Sequence, residues 1–320
     1  MSGQQTSFNG GFIMTIESLL QLFVNGLSES FILMLATMGI VIIFKTSYTT
    51  NFSQGMIAAF AAFVVATLVP IFINMIPGIQ TVTALILSVF CAVIVAFLMG
   101  LFIDTMILRK AKFIHSAGKQ IITMGLVLIL SGVIPLIFGV IPMTIPFLAD
   151  TSTAKVFSFF GMRLSMSYHN YYASIIAFVV LTIVFLSLRF TKWGLGVRAT
   201  ASNEIVANMM GVNTRLITAM SWAIAGGLGA LAASLYAPNA GSLTPALMNT
   251  IQVDAFLASV LGGFTSFYGP LVGAVLLPMT NIYVKYFYGL WSKVIVYSLL
   301  LIVVLIKPIG LFGKRIAKKV

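Results

Sequence analysis

Charge is scarce in this sequence. Of 320 residues, 8% are Asp, Glu, Lys or Arg, against about a quarter in a soluble domain, so the chain is not a soluble globular protein. It has one cysteine, Cys91, placed inside an apolar run, which excludes an internal disulfide and leaves a small packing side chain. The two histidines, His115 and His169, are far apart and have no cysteine nearby, which argues against a metal centre. No grouping suited to covalent chemistry is present, so neither catalytic residues nor a cofactor are expected. Long hydrophilic stretches are also lacking, which leaves one membrane domain, 1–320. The opening "MSGQQTSFNGGF" has no basic n-region and no small-residue cleavage site, so a removable signal peptide is not expected.

Apolar sequence takes up the space that charge leaves. Hydrophobic residues make up 60% of the chain, and the mean hydropathy is +1.10. Spanning the hydrocarbon takes about 20 such residues per helix. Apolar segments run over about 18–44, 52–76, 79–108, 120–141, 170–190, 214–237, 251–284 and 288–307. They are continuous rather than alternating, which excludes a β-barrel; backbone groups in lipid must then pair within helices. The fold expected is an all-α polytopic membrane protein, with about eight or more transmembrane helices. The first and seventh segments exceed one simple crossing and are expected to be tilted or broken.

A net charge of +12 would suit nucleic acid, but the bases sit in short loops, the pattern of the positive-inside rule, so no nucleic-acid partner is expected. Arg109, Lys110, Lys112 and Lys119 share one loop. Arg189, Lys192, Arg198 and Arg215 flank another. Lys307, Lys314, Arg315, Lys318 and Lys319 close the chain. These regions are expected in the cytoplasm, and the loop 142–167, with Lys155 and Arg163, outside. The side on which the N-terminus lies depends on whether the break near Asn51 is a full crossing.

One polar stretch stands between two apolar ones: "VRATASNEIVANMMGVNT", 197–214. Ser202 is expected as an N-cap and Glu204 in the first turn, where the helix dipole favours an anion. Gly211 is a C-terminal stop, with Asn213 beyond it. This predicts a helix of two to three turns over about 202–210 on the cytoplasmic side. Such a helix either rests on lipid or enters a protein groove. Its Met, Ala and amide side chains suit a groove, with the small Ala207 at the close contact.

"GLGVRATASNEIVANMMGVNT" resembles the cytoplasmic coupling loop of ATP-binding-cassette importer permeases, and within them the branched-chain amino acid permeases. "TNFSQGM", 50–56, resembles their "NFAHG" motif; "ASVLGGFTSFYGPLVGAVL", 258–276, resembles their glycine-rich run; "IKPIGLFGKR", 306–315, resembles their "RPxGLFG" ending. "LRKAKFIHSAGKQIITMGLVLIL" is a looser match. Ser53-Gln54 stands in place of Ala-His, and Lys307 in place of Arg. The "NFSQG" form looks like the first of the family's two permease types. The resemblance implies a permease subunit of the bacterial cytoplasmic membrane. It would pair with a second related permease, bind two cytoplasmic ATPase subunits and receive substrate from an extracytoplasmic solute-binding protein. It also implies a coupling helix near 199–213, involving Arg198, Ser202, Asn203, Glu204, Ala207, Gly211 and Asn213.

Glu17, Glu29, Asp104, Asp150, Glu204 and Asp254 are the only acids. Asp104 is expected at the end of its helix beside Arg109, and Asp254 near a helix start, both as structural charges. Candidate pathway residues are the polar interruptions Asn51, Ser53, Gln54 and Gly55, and Gly262, Gly263, Thr265 and Ser266. Each group either lines a route or serves close packing. Gly226, Gly227 and Gly229 read as packing residues. Branched-chain amino acids are the expected cargo; urea, a short amide or another amino acid is the alternative. An ion-coupled secondary transporter is disfavoured by the few buried acids.

Overall fold

The computed structural model describes residues 15–111, 116–149, 154–159 and 162–313. The N-terminal dodecapeptide, Lys112, His115, Asp150 and the bases from Lys314 onward lie outside the described residues. The chain order is α1 (Ile16–Ser47), α2 (Gln54–Met75), α3 (Thr81–Phe102), α4 (Ser116–Phe138), β1 (Ala154–Phe159), β2 (Met162–Ser167), α5 (Tyr168–Phe190), α6 (Lys192–Ser202), α7 (Glu204–Met209), α8 (Thr214–Ala240), α9 (Leu247–Gly262), α10 (Gly269–Tyr288) and α11 (Ser292–Ile306). A π-helical turn, Ile103–Leu108, ends α3, and a 3-10 turn, Gly289–Trp291, joins α10 to α11.

Two helices form the centre: α1 and α8 are the most enclosed of the long apolar helices, while α3, α4, α5 and the α10–α11 stretch turn large apolar faces outward. Exposed Phe90, Leu98, Leu128, Phe178 and Leu305 are what lipid requires of an outer helix. Many buried hydroxyls are paired back to their own helices. Ser30, Thr37, Thr46, Ser88, Ser221, Ser234 and Ser259 each donate to the carbonyl four residues earlier, which lets them enter the core satisfied, whereas the buried Thr200 hydroxyl and the Trp193 and Trp222 indole N–H groups have no partner among the described residues.

Glycine sets the approach of α3 and α8. A Cβ on Gly100 would strike the Trp222 carbonyl, and one on Gly226 the Ala96 carbonyl. The two helices therefore run antiparallel with backbones in contact, as small residues allow between membrane helices. Gly226 serves packing, as its sequence context implied.

The bundle has two distinct ends. At one, the β1–β2 hairpin docks on the start of α1. Gln21 acts as a surrogate strand partner, donating to the Ser165 carbonyl (2.7 Å) and accepting from the Ser165 amide (2.8 Å). Glu17 accepts from the Arg163 amide at 3.1 Å. At the other end lie α6, α7, Arg109, Arg198 and Arg215, so we call it the basic end. The start of α1 is thus at the hairpin end and its last turn at the basic end.

Of the two long apolar segments, the first, 18–44, is unbroken inside the single 32-residue helix α1, with a break just after it, and the seventh is broken. After α1 the chain reverses at Tyr48, the only non-glycine residue with positive φ among those described (φ 48°). Its amide caps Phe44 (2.9 Å) and its hydroxyl donates to the Ala201 carbonyl (2.6 Å); these bonds offset a left-handed conformation that costs about 1–2 kcal/mol. Residues 49–53 then return into the bundle, and α2 begins at depth. Its Thr67 already reaches Met143 in the hairpin-end loop, which pairs with Leu243. The seventh segment divides into α9 and α10 at residues 263–268. Gly263 (φ 94°) and Gly310 (φ 84°) pack against each other there, with Leu311 and Phe312 amides on the Leu261 and Gly262 carbonyls (2.8 and 3.1 Å). The end of α11 therefore returns beside the start of α10. The 38-residue apolar stretch Gly269–Ile306 is two antiparallel helices rather than one. This extra passage puts residues 307–313 at the basic end.

Candidate coupling and pathway sites

The polar stretch forms two short helices. Residues 192–202, read in the sequence as a loop flank, are helical. Gly194 and Gly196 permit this despite low helix propensity, because a Cβ on Gly194 would meet the Leu188 carbonyl and one on Gly196 the Ile217 side chain. The expected N-cap Ser202 is instead the last residue of α6. Asn203 holds the cap: it is extended, and its Oδ1 accepts from the amides of Ile205 (3.0 Å) and Val206 (3.1 Å). Both residue types cap well, so a shift of one position has little energetic consequence. The helix α7 is also shorter than expected, six residues, with Glu204 in its first turn. Gly211 (φ 85°) ends it in a Schellman turn, with the Val212 amide on the Ala207 carbonyl at 3.0 Å. Asn213 then caps α8 through the Leu216 amide (3.1 Å).

Ala207 does not face outward. It is 5% exposed and packs inside the α6–α7–α8 corner. The outward face is Ile205, Val206, Met209 and Met210, and Met209 is 80% exposed. In sequence Ala207 read as the groove contact because it is small. Smallness here serves the chain's own packing, and the four larger residues carry the apolar surface. Arg198 is exposed and donates to the Arg189 carbonyl at 3.4 Å. Behind α7, Glu204 shares a small cleft with Asp104, Arg109 and Arg215. Asp104 is buried and accepts from Arg109 Nη2 (2.8 Å), which also donates to the Arg215 carbonyl (2.5 Å). The Arg109 bond to Arg215 ties the π-turn of α3 to the start of α8, and Asp104 holds the guanidinium in place for it.

The first polar break is a closed network. Asn51 Oδ1 accepts from the Ser53 amide (3.0 Å) and hydroxyl (2.7 Å), and Asn51 Nδ2 donates to Gln54 Oε1 (3.1 Å). Gln54 Nε2 donates to the Ala225 carbonyl of α8 (2.5 Å). Gln252 of α9, which sequence reasoning missed, is the hub. It accepts from the Gly55 amide (2.6 Å) and donates to the carbonyls of Asn51 (3.0 Å) and Phe52 (2.6 Å). The Phe52 amide reaches Thr123 Oγ1 at 3.2 Å. Asn51, Ser53 and Gln54 are buried, and Asn51 and Gln252 border an apolar cavity of about 430 Å³ between α4 and α9. No periodicity marked Gln252, because its partners are backbone groups far away in sequence.

The second break is a turn at the basic end. A Cβ on Gly262 would strike the Gly269 carbonyl. Ser266 Oγ accepts from the Gly269 amide (2.7 Å) and caps α10, and Lys45 Nζ donates to the Thr265 carbonyl. A row of rings runs from one break to the other and on to α1: Phe52–Phe256 (6.3 Å), Phe256–Phe264 (5.8 Å) and Phe264–Phe44 (4.4 Å between centroids). His169 engages both ring nitrogens, Nδ1 with the Leu148 amide (3.2 Å) and Nε2 with the Leu235 carbonyl (3.0 Å), and so clips α5 to α8.

A bundle of broken apolar helices, with a short capped helix projecting at its basic end, is a multi-pass membrane protein of the permease class. The family described as "Branched-chain amino acid transport system / permease component" matches residues 22–305, and the chain belongs to it. It is 27% identical over 307 residues to the high-affinity branched-chain amino acid transport system permease protein BraD of Pseudomonas aeruginosa, covering 94% of this chain and 98% of that one. It is 26% identical over 295 residues to the probable branched-chain amino acid transport permease protein LivH of Methanocaldococcus jannaschii, covering 88% and 89%. The solved structure "PsaBC from Streptococcus pneumoniae in complex with Fab" aligns with a TM-score of 0.43 at 14% identity, over 88% of this chain and 90% of that one.

Proposed function

We propose that the chain is a permease subunit of an ATP-driven importer for branched-chain amino acids. It works in the cytoplasmic membrane, with the basic end inside. A second related permease completes the path, two cytoplasmic ATPase subunits drive it, and an external solute-binding protein delivers the cargo. The observation that carries this reading is the projecting face of α7. Four large apolar side chains on a doubly capped six-residue helix have no partner within the described chain, while Ala207 beneath them is packed tight. Burying that face in a cleft of the ATPase gives a rigid lever. The corner joins α5 through α6 to α8, so movement of α7 reaches both helices. The names of the relatives support the cargo.

Asn51, Ser53, Gln54 and Gly55 brace the wall of the path beside the α4–α9 cavity, and Gly262, Gly263, Thr265 and Ser266 anchor its basic end. A neutral, weakly binding wall suits a zwitterion that must not be retained. The test is uptake into vesicles holding both permeases, the ATPases and the binding protein. Leucine, isoleucine or valine should accumulate only with ATP. Uptake driven by an ion gradient without ATP, or ATP-driven uptake of urea but not leucine, contradicts the assignment.

A further inference from the structure

The charges inside the hairpin half have no role in the account above. Two adjoining cavities, of about 570 and 200 Å³, open there between α1, α8, α9 and α10 and share Glu29, Tyr236 and Lys285. The smaller also carries Asp254, Asn281 and Lys293. Two carboxylates and two ammonium groups thus surround one space. Among the described residues the only salt bridge is Asp104–Arg109, so these four groups face the cavity without direct ion pairs. Asp254 is held by the Tyr297 hydroxyl (2.5 Å), which fixes its direction. Asn281 Oδ1 is buried and has no hydrogen-bond partner.

Glu29, Lys285 and Lys293 are exposed along this space and Asp254 is half-buried, so the four charges line an opening that water and a small solute can reach. A chain with only six acids that places two of them here has a use for the field they create. The set is balanced, two negative and two positive, so a ligand with net charge of either sign would leave one pair unmatched. A ligand carrying both signs satisfies it. The joint volume falls within the range of about 300–1,000 Å³ usual for small-molecule sites.

We propose that this cavity is a low-affinity binding site for the zwitterionic head group of an amino acid entering from the hairpin end. The ammonium group is met by Glu29 and Asp254, and the carboxylate by Lys285, Lys293 and the Tyr236 hydroxyl. This rests on the proposed cargo but goes beyond it by naming the groups.

The test uses the assembled permease–ATPase complex without binding protein, carrying Asn25→Cys at the cavity mouth in a Cys91→Ala background. The rate of modification by a cationic thiosulfonate is measured with leucine, leucinamide or isocaproate. Leucine should slow it several-fold, and the two analogues, each lacking one charge, much less. Glu29→Gln or Lys285→Met should remove the protection while ATPase retention persists. Equal protection by all three compounds, or none by leucine, overturns the site. Wild-type uptake is measured beside it: leucine import without leucine protection defeats this site alone, whereas protection without import defeats the proposed function and leaves the site standing.

Discussion

Gln252→Leu should loosen the entry into α2. The glutamine side chain makes three bonds to backbone groups of residues 51, 52 and 55, at 3.0, 2.6 and 2.6 Å. Leucine has nearly the same reach but pairs with none of them. Interhelical hydrogen bonds in membrane proteins average about 0.6 kcal/mol each, which sets the floor near 2 kcal/mol for three. Orphaned groups in a dry interior cost about 1–3 kcal/mol apiece, about 3–9 kcal/mol for three, so the total lies between about 2 and 9 kcal/mol. At about 2–4 °C per kcal/mol, the melting temperature of the detergent-solubilised protein should fall by at least about 4 °C. Gln252→Glu keeps the acceptor for the Gly55 amide but sets a carboxylate against the carbonyls of residues 51 and 52, so it should cost at least as much as leucine. Val253→Ala, at a neighbouring exposed position on α9, is the control. Unchanged melting and uptake in Gln252→Leu would refute the hub role.

Met209→Glu with Val206→Glu should leave the protein at normal levels in the membrane but unable to retain the ATPase in a pull-down. Ala207→Arg should act differently, destabilising the α6–α8 corner by a few kcal/mol, because the buried site has no room for it; limited proteolysis near 203–213 reads this. Gly226→Leu should separate α3 from α8 and cut the folded yield, measured by size-exclusion chromatography. Tyr48→Phe removes one bond to Ala201 and should cost about 1 kcal/mol in a denaturant titration. In a Cys91→Ala background, Val156→Cys should react with an impermeant reagent in intact cells, while Leu195→Cys should need permeabilisation.

The sequence made the long helices legible because lipid imposes a single pattern. The segments 120–141, 170–190 and 214–237 fall within a few residues of α4, α5 and α8. Both broken regions were visible as polar or glycine interruptions in apolar runs. What the interruptions do was not visible. Gly262 and Gly263 look like path residues until the tail, nearly fifty residues later, is seen packed on them. Ala207 looked like a docking contact, since burial against the protein's own chain and burial in a partner ask for the same small residue. Glu29 lies inside an apolar run and has no charged neighbour in sequence. Its companions Asp254, Lys285 and Lys293 come from three other helices, so only the fold assembles them.

The central claim is that motion of an ATPase reaches the membrane through α7. It is tested most directly by ATP-dependent leucine uptake in vesicles with the complete complex, comparing wild type with Met209→Glu and with a control at an exposed position far from α7. The control is Met75→Ala, at the exposed hairpin-end terminus of α2. Wild type and this control should accumulate leucine, and Met209→Glu should not, even though its permease is present in equal amount and its vesicle-bound ATPase is lost. Full leucine accumulation by Met209→Glu, with the ATPase still bound, would contradict the account.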